Sequence, residues 1–157
     1  SMKTTNKKIL KKNNLRKTKS LIRLPNNYKP NDKEIFMNDK QLLYFKNKLE
    51  TWRESVIKDS EKTRGNLQNN SSPEADIADR ASTETDRSLE LRTRDRQRKL
   101  LSKIDAALIR IKEGSYGFCI ETGEPISLKR LDARPIAILS IAAQERHEKT
   151  ERSYKED

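Results

Sequence analysis

The chain has 157 residues, of which 32% are hydrophobic and 38% charged, and a net charge of +11. That length suits one domain, or a small lobe with appendages, and so polar a mixture excludes a compact globule with a thick core. There is no apolar run of about 18 residues, so no membrane span is expected. A single cysteine, Cys119, excludes an intramolecular disulfide and suits a reducing cytoplasm.

The charge is uneven. Residues 1–40 hold 12 Lys/Arg against 3 Asp/Glu, whereas residues 41–157 hold 23 against 21. The high pI therefore does not make the body a nucleic-acid binder. Residues 1–29 form a basic leader, rich in Lys and Asn and without helical or strand period. It reads as a solvated tail, a nonspecific contact to nucleic acid or another acidic surface, or a targeting peptide. The last is disfavoured because the apolar core of a signal peptide is missing. The patch Leu21-Ile22-Arg23-Leu24-Pro25 is expected to dock locally on the folded lobe.

Residues 30–113 read as an N-terminal segment and a helical hairpin. Its arms are expected at 36–69 and 80–113, each projecting on the order of 50 Å. Leu42, Phe45, Leu49, Trp52 and Val56 step by three and four, as a coiled-coil seam requires. Leu100, Ile104, Ala107, Leu108 and Ile111 do the same in the second arm. Toward the tip the seam turns polar at Asp59, Thr63, Thr93 and Arg96, leaving Leu67 and Leu89 as isolated apolar contacts. A firm base and a looser distal half follow.

The tip spans 70–81. Ser72 is the expected cap, and Pro73 the first residue, of a new helix. Glu74, Asp76 and Asp79 then occupy its opening turns. Carboxylates there complement the helix dipole by roughly 0.3–1 kcal/mol each, and that alone is a sufficient reason for them. A functional reading competes: the acids sit at the point of a thin rod, followed by small Ala81. Farther along, Arg92, Arg94, Arg96, Arg98, Lys99 and Lys103 cover several faces of the arm. They are either a solvated surface with pairs such as Asp95 with Lys99 or a contact for acidic partners.

Residues 114–157 read as a small lobe and a charged final helix from about Ser140 to Tyr154. Gly114 is placed for a helix C-cap. Phe118-Cys119-Ile120 and Pro125-Ile126-Ser127 flank a turn at Gly123 and suggest a short β-hairpin. Leu128, Leu131, Ile136, Ile138, Leu139 and Ile141 supply a modest core. Phe118, Ile120, Ile126, Leu131 and Ile138 are expected to stabilise the lobe. A lobe this small normally needs a metal or disulfide staple.

Several stretches together carry a family resemblance, from about Tyr28 to Tyr154. They are Phe36-Met37-Asn38, Asp76-x-x-Asp79-x-Ala81, the run from Ser88 to Leu100, Tyr116-Gly117-Phe118-Cys119, and Arg130-Leu131-Asp132-Ala133-Arg134-Pro135. The sequence resembles the DksA/TraR family of transcription factors that bind RNA polymerase directly. The resemblance implies a mainly α fold: a long antiparallel coiled-coil hairpin, a small zinc-finger-like globular lobe without zinc, and a C-terminal helix. It also implies insertion of the hairpin into the polymerase secondary channel, with altered open-complex stability and guanosine tetraphosphate (ppGpp) as co-effector. Asp76, Asp79 and Ala81 become the regulatory tip. Lys99, Leu100, Lys103 and Arg134 match positions at a ppGpp site shared with the polymerase. The family's further lysine is Gln144 here.

Many members hold zinc through two C-x-x-C pairs. The corresponding residues are Cys119, Thr122, Ser140 and Ala143. Structural zinc wants four Cys or His ligands, so no metal is expected there. His147, the only histidine, reads as an exposed helix residue and Cys119 as a small buried apolar one.

A cytoplasmic, monomeric, non-enzymatic regulator without sequence-specific DNA binding follows from the resemblance. Two alternatives stand: a cleavage-type factor whose tip carboxylates bring metal to the polymerase, and a coiled-coil adaptor binding nucleic acid through its leader. No nucleophile–base set, phosphate loop or metal cluster suggests an independent enzyme.

Overall fold

The computed structural model describes residues 23–69 and 77–156. The described helices are α1 (Asp39–Asn69), α2 (Ile77–Glu113), α3 (Leu128–Ala133) and α4 (Ile141–Glu156). None is long and apolar enough to cross a membrane. The fold is mainly helical, as the sequence pattern implies. Two compact units divide the chain. One holds Lys46–Tyr116 with Ala133–Ala137; the other holds the described residues up to Phe45, Gly117–Asp132 and the chain from Ile138 onward.

In the first unit, α2 returns antiparallel to α1. Arg53 donates from Nε to Asp105 Oδ1 at 2.7 Å, and Ser60 donates from Oγ to Gln97 Oε1 at 3.2 Å. Advancing seven residues along α1 moves the contact back eight along α2, which is antiparallel register. Leu49, Val56, Ile104 and Ala107 are buried between these stations and the base, so the expected apolar seam exists. Its edges are thinner than the period suggests. Trp52, Leu100, Leu108 and Ile111 are only partly buried, because two helices alone cannot cover every seam position. Phe45 and Leu42 belong to the second unit. Leu89 is 53% exposed, and the side chain of Leu67 lies outside the described residues.

The end of α2 closes as its glycine predicts. Gly114, at φ 86°, follows the last turn, and the N–H groups of Gly114, Ser115 and Tyr116 all reach the Arg110 carbonyl. A left-handed residue at this point satisfies otherwise orphaned helix carbonyls. The chain then presents Tyr116, which is 1% exposed. Its hydroxyl donates to the Pro135 carbonyl at 2.7 Å and ties the 133–137 segment into the hairpin unit.

The second unit is built from hydrogen-bonded turns. α1 begins at Asp39, three residues later than the spacing predicted. Met37 lies at φ 52°, incompatible with helix, and Asn38 acts as the cap. Asn38 Oδ1 accepts from Gln41 N at 2.9 Å, while Gln41 Oε1 accepts from Met37 N at 2.8 Å. This reciprocal exchange is a form of capping box. It explains a fully buried glutamine, since Gln41 is 0% exposed. Tyr28 packs edge-on against Tyr44 and donates to Glu34, and Tyr44 bonds Asp132 at 2.6 Å. Burial, then the bond to Asp132, pushes the Tyr44 phenol up to about 12.

The expected β-hairpin is reduced to a single antiparallel bridge between Phe118 and Pro125. Proline cannot donate to a ladder, and the chain leaves Ile120 to bond Ile138 instead, N to O at 2.9 Å. Three residues expected in the core lie outward instead. Phe118 is 37% and Ile120 62% exposed, and Ile141 is 53% exposed at the head of α4. Ile126, Leu128 and Leu131 are buried as expected. Gly117 is required by geometry: at φ 91° an added Cβ would sit 3.0 Å from the Met37 side chain.

Candidate functional site

Asp79 and Ala81 lie in the first turns of α2. Helix is already present from Ile77, ahead of the boundary predicted at 80. Asp76, Glu74, Ser72 and Pro73 fall outside the described residues. Positions 79 and 81 are thus helical, and their side chains lie outside the described residues.

The basic residues of α2 sort onto two flanks. At about 100° per residue, Arg92, Arg96, Lys99 and Lys103 fall to one side of the seam position Gln97, and Arg94 and Arg98 to the other. The first flank carries a groove lined by Leu89, Arg92, Thr93, Asp95, Arg96 and Lys99. Arg96 donates to Thr93 Oγ1 at 3.4 Å, and Lys99 and Lys103 stand exposed. Asp95 is engaged by Arg98 at 3.2 Å rather than by Lys99, so the expected i,i+4 pair is replaced by an i,i+3 pair. Both are surface interactions of small energy.

Lys99, Leu100, Lys103 and Arg134 all fall within the hairpin unit. For Arg134 this is not a matter of helix spacing. Its segment turns tightly, with Ala137 N bonded to the Arg134 carbonyl at 3.0 Å, and is fastened by Tyr116 at Pro135. Ile136 and Ala137 are buried while Arg134 is exposed. Tyr116 thereby positions a cation it does not itself contact through its hydroxyl. Burial holds the Tyr116 phenol above its ordinary range and keeps it a donor. Sequence reading missed this role; an aromatic set directly after a capping glycine was the available signal. Gln144 sits in the other unit, where its amide donates to Glu148 at 3.3 Å.

The four zinc-position residues each have a local task. Cys119 is buried as expected, 2% exposed, and hydrogen-bonding groups meet its thiol. A hydrogen bond from Thr122, then backbone groups of Ser140, Thr122 and Glu121, outweigh burial and bring the thiol down to about 6. Thr122 Oγ1 also accepts from Glu124 N at 3.3 Å. Ser140 caps α4, its hydroxyl accepting from Ala143 N at 3.2 Å. Ala143 is fully buried and offers no donor atom. One thiol, two hydroxyls and a methyl do not make a zinc set. Among the described residues there is no group of three His, Cys, Asp or Glu side chains placed to hold a metal. The turn around Cys119 nevertheless keeps backbone groups directed at sulfur, with Gly123 at φ 73° bonding back to the Cys119 carbonyl at 2.9 Å. His147 is exposed as expected but not isolated: its Nε2 pairs with Glu121 on that turn.

An antiparallel helical hairpin together with a turn-rich knuckle lobe defines a recognisable class of coiled-coil protein. Family comparison gives the same answer. Residues 41–111 match the DnaK suppressor protein DksA N-terminal domain, and residues 114–149 match the prokaryotic dksA/traR C4-type zinc finger. The RNA polymerase-binding transcription factor DksA of Caulobacter vibrioides is 60% identical over 130 residues, covering 83% of this chain and 92% of that protein. The corresponding factor of Escherichia coli K12 is 39% identical over 114 residues, covering 73% and 76%. The structure of transcription factor DksA2 from Pseudomonas aeruginosa superposes with a TM-score of 0.70 at 45% identity, covering 74% of this chain and 90% of that one. The chain belongs to the DksA/TraR family. The stretch that matches a C4-type zinc finger contains one cysteine, Cys119.

Proposed function

We propose that this protein is a transcription regulator that binds RNA polymerase directly and changes the stability of promoter open complexes. The observation that carries the reading is the hairpin register joined to 60% identity with a polymerase-binding DksA. In this account the hairpin enters the secondary channel and brings Asp76, Asp79 and Ala81 near the active centre. A charge at that point alters the energetics of nearby nucleic acid and metal without chemistry of its own. The protein works as a cytoplasmic monomer, holds no zinc and reads no DNA sequence. The domain division at 29 and 113 follows the same logic: leader, inserted rod, supporting lobe.

Lys99, Leu100, Lys103 and Arg134 form the protein's share of a ppGpp site. Cations serve phosphates through charge-assisted hydrogen bonds worth about 1.5–3 kcal/mol each when well formed. Placement of all four residues in one unit supports that assignment. Gln144 supplies no charge, and coupling is correspondingly weaker than with lysine. The test is a ppGpp titration of open-complex decay. Lys103→Ala and Arg134→Ala are expected to lose more of the ppGpp-dependent effect than of the basal effect, and Gln144→Lys to gain coupling. Equal responses in all variants and the parent would leave polymerase binding standing and remove the nucleotide site.

A further inference from the structure

The flank of α2 that carries Lys103 continues toward the base of the hairpin. Arg96, Lys103 and Arg110 recur at seven residues, a spacing that drifts by only about 20° per step on a straight helix. Arg110 therefore follows Lys103 on the same flank, about 10 Å along the axis. Arg96, Lys99 and Lys103 are exposed, whereas Arg110 is partly buried. Its guanidinium lies within electrostatic reach of the Tyr116 phenol, and its carbonyl accepts from the Tyr116 amide. The Tyr116 hydroxyl in turn holds the Pro135 carbonyl at 2.7 Å, one residue from Arg134. Two arginines, one from α2 and one from the 133–137 segment, are thus anchored on one buried tyrosine within one unit.

Taking a guanidinium out of water costs free energy that a carboxylate beside it normally offsets. Among the described residues neither Arg110 nor Arg134 has an ion-pair partner. Glu113, less than a turn from Arg110, is exposed and does not pair with it. Burial without a counter-charge accordingly pulls Arg110 below its ordinary range. The helix dipole favours a cation in the last turn of α2. Lys112 meets that need from an exposed position, and the dipole does not require burial beside Tyr116. An anion from outside the chain does account for two unpaired arginines held at one point. Arginine suits a diphosphate because its planar fork bonds two oxygens at once. Guanosine tetraphosphate carries two diphosphates, on separate ribose oxygens. We propose that Arg110 is a further nucleotide-contacting residue, which with Arg134 takes one diphosphate of ppGpp while Lys99 and Lys103 take the other. The inference rests on the ppGpp reading above. It adds the basis on which a nucleotide with two diphosphates is chosen over one with a single diphosphate.

The test is a titration of open-complex decay with ppGpp and, separately, with GDP, using the full chain and purified RNA polymerase. Polymerase affinity without nucleotide and thermal melting are measured alongside. The parent is expected to respond to ppGpp at lower concentration than to GDP. Arg110→Gln is expected to raise the ppGpp midpoint by about tenfold or more and the GDP midpoint by less, so that the preference narrows. Arg110→Lys keeps the charge without the fork and is expected to recover part of the preference. Should Arg110→Gln melt lower, the ratio of the two midpoints still decides, because a loosened fold moves both alike. A parental ppGpp midpoint in Arg110→Gln, with Lys103→Ala shifted, overturns the role of Arg110 and leaves the nucleotide site standing. Equal shifts for ppGpp and GDP overturn it as well. Loss of polymerase affinity without nucleotide that matches the loss of the ppGpp response does the same and makes the counter-charge a polymerase carboxylate. A parent that binds polymerase and shows no response to ppGpp removes the nucleotide reading itself, a result distinct from the others.

Discussion

The hairpin unit and the knuckle unit use their polar residues in opposite ways. In the knuckle unit several polar side chains are occupied locally. Gln41 and Asn38 exchange bonds at the start of α1, Ser140 caps α4, and Thr122 serves both the Glu124 amide and the Cys119 thiol. In the hairpin unit the seam is held by buried Leu49, Val56, Ile104 and Ala107 and by two cross-helix polar contacts. Most cations of α2 stand exposed. The polar groups of the knuckle unit hold its own turns. A rod stabilised at its base leaves its charges available to a partner.

The largest effect that tests this contrast is in the seam. Leu49 is fully buried, so Leu49→Ala should cost about 2–5 kcal/mol. Leu89, 53% exposed in the distal half, should cost no more than about 0.5 kcal/mol on the same change. Urea denaturation followed by circular dichroism compares them directly. Similar losses would mean that the distal half is packed as firmly as the base.

A smaller loss is expected at the joint that carries Arg134. Tyr116→Phe removes the donor from the buried Pro135 carbonyl and leaves it unsatisfied, at a cost of about 1–3 kcal/mol. If Tyr116 positions the 133–137 segment, the variant should also show faster amide exchange at Ala137, whose N–H closes the turn onto Arg134. Unchanged exchange with lowered stability would reduce Tyr116 to a packing residue.

The smallest effect is spectroscopic. The Cys119 thiol, lowered from 9.0 to about 6, should appear as a thiolate absorbance with its midpoint there. Because the folded value is depressed, the associated stabilisation is fully present above the ordinary thiol value. It is lost as the pH falls toward and through about 6. Thr122→Val removes the leading cause and should move the midpoint upward. A parent midpoint near 9 would show that the turn no longer directs its donors at sulfur.

Much of this arrangement was legible in the sequence where periodicity or a special residue marked it. The three-and-four spacing located both arms, and Gly114 located the end of the second. The positions Cys119, Thr122, Ser140 and Ala143 came from the family resemblance, and chemistry adds that Thr, Ser and Ala are poor zinc ligands. What escaped notice depended on contacts between distant residues. Nothing local in Met37 announced a left-handed backbone that delays α1 to Asp39. Phe118 and Ile120 looked like strand residues, yet the pairing with Pro125 is a single bridge, Ile120 is exposed and Phe118 packs edge-on against Phe36. The division of the arginines between two flanks, and the tie from Tyr116 to Pro135, required the register of the folded chain. The reading of the tip as functional rests on the family resemblance, since a few acids at a helix start are explained equally well by the dipole.

The central claim is that the hairpin acts on polymerase through the charge at its point. Open-complex lifetime with purified polymerase, measured without protein, with the parent and with Asp79→Asn at saturating concentrations, tests it most directly. The parent should change the lifetime, whereas Asp79→Asn should bind with parental affinity and leave the lifetime near that of polymerase alone. A parent that binds without altering the lifetime, or an Asp79→Asn variant as active as the parent, would contradict the account.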